Sequence, residues 1–123
     1  MPKKIVLVVD DEAEIISILV KRLTVAGYDV ITAKDGIEGL NKASNLKPDL
    51  VILDILMPKM DGYEVCRLLK FDEKLKSIPV IMLTAKTQEA DKEVGKKVKA
   101  DDYVTKPFEI EDLLMRIKKL IGE

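Results

Sequence analysis

The chain has 123 residues, 47% of them hydrophobic and 35% charged, and carries a net charge of −1. That length suits one domain with a real core and is short for two. The near-neutral balance excludes a global basic field for nucleic acid or an anionic membrane, and no apolar run approaches a bilayer span. A single cysteine, Cys66, excludes an internal disulfide, and the lack of any histidine removes the commonest general base and metal ligand. The start, Met1-Pro2-Lys3-Lys4, has neither the apolar stretch nor the cleavage site of a signal peptide, so a cytoplasmic location is expected.

Ile5 to Val9 is an unbroken, mostly β-branched run that predicts a central strand ending at Asp10-Asp11. Residues from Glu12 to about Ala26 follow a helical period and stop at Gly27. Tyr28 to Ala33 predicts a second strand, Asp35-Gly36 a turn, and 36–46 a helix stopped by Lys47-Pro48. The strand expected over 49–54 is continuously apolar from Leu50 to Leu53 and ends at Asp54, as in a strand buried on both faces. The Met57-Pro58 and Asp61-Gly62 loop leads into a helix over about 63–71 that carries Cys66 on an apolar face, a buried small hydrophobe. Val80 to Thr84 predicts a fourth strand, about 88–99 a very polar helix, and Asp102 to Thr105 a fifth strand. Lys106-Pro107-Phe108 connects to a last helix over about 109–121, with acids at its start and Lys118 and Lys119 near its end, as the helix dipole favours.

Strand and helix alternate five times, which predicts a doubly wound α/β domain: five parallel strands with five helices on both faces. In such a sheet all carboxyl ends lie on one edge, where ligands bind. The first strand presents Asp10 and Asp11 there, the third Asp54, the fourth Thr84, and the fifth Thr105 followed by Lys106. Each has an ordinary reading alone: Asp10 or Asp11 as a helix cap, Thr84 as strand filler, Lys106 as surface charge. Together, three carboxylates and one ammonium leave a local charge of −2, which a divalent cation would neutralise. All-oxygen ligands point to Mg²⁺, with Mn²⁺ as the alternative. A carboxylate beside such a cation can attack phosphorus and form an acyl phosphate, and Thr84 can donate a hydrogen bond to the new group.

The segments VVDDE, LDILMPKMDG, LTA and ADDYVTKPF, at these spacings, resemble the receiver domain of two-component response regulators over essentially the whole chain. The resemblance implies a flavodoxin-like sheet of order 2-1-3-4-5 and a single-domain, chemotaxis-regulator-like protein over 1–123 without an output domain. It makes Asp54 the phospho-acceptor, Asp10 and Asp11 the acid pair holding Mg²⁺, and Leu56 a further ligand through its backbone carbonyl. Thr84 becomes the switch hydroxyl, Lys106 the phosphate-binding lysine and Tyr103 the aromatic switch residue, and Lys106-Pro107 is similar to the family's cis peptide. The implied partners are a sensor histidine kinase or histidine phosphotransfer protein and a downstream protein target met by the fourth helix, fifth strand and fifth helix. The expected state is a monomer or a weak phosphorylation-dependent dimer. The expected activity is a switch catalysing only its own phosphotransfer and dephosphorylation, not turnover of a metabolite.

Two departures stand out. Lys99 occupies a position where the family often has Gly, and a left-handed Lys there would cost about 1 kcal/mol; Gly95 falls within the predicted fourth helix. Leu56 and Lys86, two residues past Asp54 and Thr84, stand where the family tunes acyl-phosphate hydrolysis. A phosphatase of the haloacid-dehalogenase type would need an acid at Leu56, which cannot donate a proton. A scaffold working without phosphate is the other alternative. On the first helix, Ile15, Leu19 and Ala26 define the expected core stripe with Ile18 and Leu23 beside it. Ile16 and Val20 lie further round, either as part of a wide buried face or as a docking patch for the kinase helices.

Overall fold

The computed structural model describes residues 2–85 and 99–123. Strands β1 (Ile5–Val9), β2 (Asp29–Ala33), β3 (Leu50–Asp54), β4 (Val80–Ala85) and β5 (Asp102–Lys106) form one sheet in the order β2-β1-β3-β4-β5. Every neighbouring pair is parallel. This is the flavodoxin-like order the resemblance implied. Helices α1 (Ala13–Val25), α2 (Gly36–Leu46), α3 (Gly62–Lys70) and α4 (Ile110–Ile121) connect and cover it. The helix expected over about 88–99, with Gly95 and Lys86, lies outside the described residues apart from its last position.

Strand alternation divides the core into two layers. Leu7, Val9, Val51, Leu53 and Met82 face α2 and α3, packing on Ala43, Val65, Cys66 and Leu69. Val6, Val8, Ile52, Ile81 and Leu83 face α1 and α4, packing on Leu19, Leu23, Leu113 and Ile117. Strands covered on both sides need apolar residues at every position, which is why β1 and β3 read as unbroken runs.

The apolar stripe of α1 differs from the expectation. Leu19 and Leu23 are its fully buried pair, and Ile16 packs partly on the same core. Ala26 is exposed, because the helix ends at Val25 and Gly27 turns the chain at φ +102° into β2. Ile18, expected beside the stripe, is 48% exposed. Lys99 is left-handed, φ +65°, and its ammonium lies 5.0 Å from the centroid of the Phe71 ring, a cation–π contact that helps hold it there.

A clamp centred on the buried Lys70 fixes the amino end of the sheet. The Lys70 ammonium donates to the carbonyls of Lys76 (3.3 Å) and Ile78 (2.7 Å) and pairs with Asp101 at 2.6 Å. Asp101 also accepts the Val80 N–H at 2.7 Å. The first residues of β4 and the approach to β5 are thus held together, in the register that sets Thr84 beside Thr105 and Ala85 beside Lys106.

Candidate functional site

The carboxyl edge of the sheet gathers Asp10 from the end of β1, Asp54 from β3, Thr84 from β4 and Lys106 from β5. Asp10 is 0% exposed and Asp54 6%. The Lys106 ammonium donates to Asp10 at 3.2 Å, to Asp54 at 3.2 Å and to Glu12 at 3.0 Å. Lys106-Pro107 is a cis peptide. The second oxygen of Asp10 accepts the Glu12 N–H at 2.9 Å, which turns the chain out of β1 into α1.

Two buried carboxylates this close raise each other's proton affinity. Burial, then the charge of Asp10, pushes the Asp54 carboxyl up to about 6 despite the nearby Lys106. Burial also raises Asp10, against the Glu12 N–H and Lys106. Burial alone would lower the Lys106 ammonium, but Glu12, Asp54 and Asp10 together outweigh it and raise it. One ammonium is therefore too little positive charge for the acids around it.

Carboxylate oxygens of Asp10, Glu12 and Asp54 lie within 4.8 Å of one another, close enough to ligate one cation. The donor set is all oxygen, hard and anionic, which fits Mg²⁺ or Mn²⁺. Asp11 was the expected second member of the acid pair, but the structure does not bring it into this group. It is exposed, and its charge is the smallest of the influences acting on Asp54. The backbone turn after Asp10 and the reach of Lys106 from β5 decide it: Asp10 ends the strand pointing inward, the chain turns, and Lys106 draws in Glu12. In the sequence Glu12 stands only as the last residue of the VVDDE match, and its signal is a third acid directly after the strand-end doublet.

The loop after β3 is folded tightly back on the strand. The Gly62 N–H donates to the Ile55 carbonyl at 2.8 Å, and a Cβ on Gly62 would fall 2.3 Å from the Asp54 carbonyl oxygen. Asp61 caps α3 by accepting the Glu64 N–H at 3.0 Å, the structural role expected of the Asp61-Gly62 pair. Leu56 lies on this loop with its side chain 64% exposed beside the site. Tyr103 is half-buried near the middle of β5, packed against the core layer under α3, and burial raises its hydroxyl pKa.

Thr84 is 1% exposed, and its hydroxyl has no hydrogen-bond partner among the described residues. A buried hydroxyl without a partner forfeits about 1–3 kcal/mol of hydration. Thr84→Val should therefore leave the stability of the unmodified protein unchanged or raise it by up to about 1 kcal/mol. A urea midpoint lowered by the change would mean that the hydroxyl is bonded in the folded protein.

The sequence of residues 6–118 matches the response regulator receiver domain. The chain belongs to that family. Its members act as phosphorylation-dependent switches in two-component signal transduction, not as conventional enzymes. The receiver is 51% identical over 121 residues to the alkaline phosphatase synthesis transcriptional regulatory protein PhoP of Bacillus subtilis, covering 98% of this chain and 49% of that protein. It thus spans about half the length of the curated relatives it matches. Among solved structures it is similar to the chemotaxis response regulator CheY4 of Vibrio cholerae, with TM-score 0.90, 37% identity and coverage of 97% of this chain and 99% of that one. It is also similar to the receiver domain of the sensor histidine kinase PA1611 of Pseudomonas aeruginosa, with TM-score 0.91, 28% identity and coverage of 99% and 100%. That protein has a magnesium ion coordinated in its active-site cleft. No helix among the described residues of the receiver is long and apolar enough to cross a membrane.

Proposed function

We propose that this receiver takes a phosphoryl group onto Asp54 from a phosphohistidine of a kinase or phosphotransfer protein. The carrying observation is the strand-end carboxylate of Asp54, buried beside Asp10 and held by Lys106, with the Thr84 hydroxyl, which has no partner among the described residues, one strand away. In the transfer an Asp54 oxygen forms the new P–O bond as the donor's P–N bond breaks, and the imidazole leaves with the partner. Mg²⁺, when bound, supplies charge neutralisation for the transferring oxygens. Asp10 and Asp54 would hold it, with Asp11 swung inward and the Leu56 backbone carbonyl completing the set. Lys106 stabilises the phosphoryl oxygens, and Thr84 donates to one of them. That bond forms only after modification, so it biases β4 and, through Tyr103 on β5, the surface carrying β5 and α4 toward a downstream protein target.

The donor protein needs an apolar seat beside Asp54. Ile15, Ile18, Pro107, Phe108 and Ile110 line a groove of about 230 Å³ next to Lys106. Ile16 and Val20 are both half-buried, Ile16 packing partly on the core, and Ile18 is the more exposed apolar side chain on this face of α1. Ile18→Lys should slow transfer from the kinase at least tenfold and leave phosphorylation by acetyl phosphate unchanged. Equal slowing with both donors would remove the docking role.

The function itself is tested by intact-protein mass after incubation with acetyl phosphate, with and without Mg²⁺, on wild type and Asp54→Ala. A single Mg²⁺-dependent phosphoryl adduct absent from the variant is expected. A folded wild-type protein that takes no adduct would overturn the reading.

A further inference from the structure

Lys106 has three ammonium donors, and all three are taken: by Asp10, by Asp54 and by Glu12. On the reading that Asp54 carries the phosphoryl group, the donor now on Asp54 passes to one phosphoryl oxygen, and a second phosphoryl contact requires Lys106 to give up another partner. Asp10 cannot easily leave. It is fully buried, and its other oxygen is tied to the Glu12 N–H at 2.9 Å. Asp54 is the modified residue itself. Glu12 is different, because its side chain is more than half exposed and can return to water at little cost.

Glu12 lies near the Asp10 and Asp54 oxygens, but among the described residues the partner its carboxylate bonds is Lys106. Glu12 is the residue before α1, at extended backbone angles, where a side chain commonly accepts an N–H of the first turn. The Glu12 carboxylate makes no such cap and reaches instead across to β5, to a residue 94 positions away, forming the shortest of the three Lys106 contacts.

We propose that Glu12 is a latch on Lys106: it holds the ammonium in the unmodified receiver, competes with the phosphoryl group for it, and lets go when Asp54 is modified. Glu12 is a positioning residue, acting on the phosphoryl group only through Lys106. Shortening or neutralising it makes Lys106 available at once, so the modified form gains stability relative to the unmodified one.

The test uses beryllofluoride, a phosphoryl mimic, titrated in Mg²⁺ and followed by ¹⁹F NMR on wild type, Glu12→Gln and Glu12→Asp. Mg²⁺ affinity is measured separately by calorimetry. Beryllofluoride should bind about two- to fivefold more tightly to both variants, while Mg²⁺ affinity changes by less than about twofold, as expected for loss of one partly exposed charge contact. Glu12→Asp keeps the charge but draws it back by one methylene. If Gln tightens binding and Asp does not, the effect is plain charge repulsion and the latch is overturned. A tenfold fall in Mg²⁺ affinity would overturn it too, making Glu12 a metal ligand. Wild-type protein that takes beryllofluoride as tightly as both variants overturns the latch alone. Wild-type protein that takes none overturns the phospho-acceptor reading and the latch with it.

Discussion

Asp54→Asn should melt at a higher temperature than the wild type at pH 7.5 in the absence of divalent cations. The folded protein holds the Asp54 carboxyl at about 6, raised first by burial and then by Asp10. An unfolded aspartate titrates near about 3.9. A raised carboxyl binds its proton more tightly in the folded state, so its contribution is full below the unfolded value and is lost as pH rises through about 6. Above that pH the ionised Asp54 opposes folding by roughly 1–3 kcal/mol, which the amide does not. For a domain of this size the gain in melting temperature is on the order of 3–10 °C. The gap should open between pH 4 and pH 6, be complete above that window, and close in acid (an order-of-magnitude range set by the two titration points). Added Mg²⁺ should raise the wild type and leave the variant nearly unmoved, because only the wild type has the full carboxylate set. Calorimetric scans across pH, with and without Mg²⁺, decide this; a variant that melts lower at pH 7.5 without cations would contradict the account of the site's charge.

The second large effect is steric. Gly62→Ala should destabilise the fold by about 2–4 kcal/mol and cripple phosphorylation as well. The added methyl would sit 2.3 Å from the Asp54 carbonyl oxygen and 2.8 Å from the Ile55 Cα, and both are backbone atoms that cannot step aside alone. Relief requires moving either the start of α3 or the end of β3, and the latter carries Asp54. Chemical denaturation gives the stability loss, and the rate with acetyl phosphate reports the displaced carboxylate. Wild-type values for both would show that the close approach of this loop to β3 is not fixed. Asp61→Ala offers a milder comparison, because it removes a cap worth about 1 kcal/mol without touching Asp54.

These two effects share a cause that the sequence displays openly. Val51 to Leu53 is apolar at every position because the strand is covered on both faces, and such a run ends where the chain reaches the edge of the sheet. The first polar residue after each run is therefore the one at the working edge, which made Asp10, Asp54 and Thr84 readable as a set, with Lys106 joining them one residue beyond Thr105. The turn beyond each strand is harder to read. Whether Asp11 or Glu12 turns toward the cleft depends on the backbone turn after Asp10 and on Lys106, more than ninety residues along the chain. No local pattern carries that information. The face of α1 was legible only to within part of a turn for the same reason. A helical period locates a stripe, but the sheet decides where its centre lies, and it chose Leu19 and Leu23 over Ala26. The exposure of Ile18 likewise gains meaning only from Pro107 and Phe108, which arrive from the other end of the chain.

The central claim is that Asp54, and no other acid of the cleft, forms the acyl phosphate. Borohydride reduction of the protein after treatment with acetyl phosphate and Mg²⁺, followed by peptide mass mapping, tests it most directly. Reduction converts a phosphorylated aspartate to homoserine and leaves free carboxylates alone. Homoserine at position 54 alone, dependent on Mg²⁺, is the predicted result. Homoserine at position 10 or 11, or a reduced product at Glu12, would contradict the account.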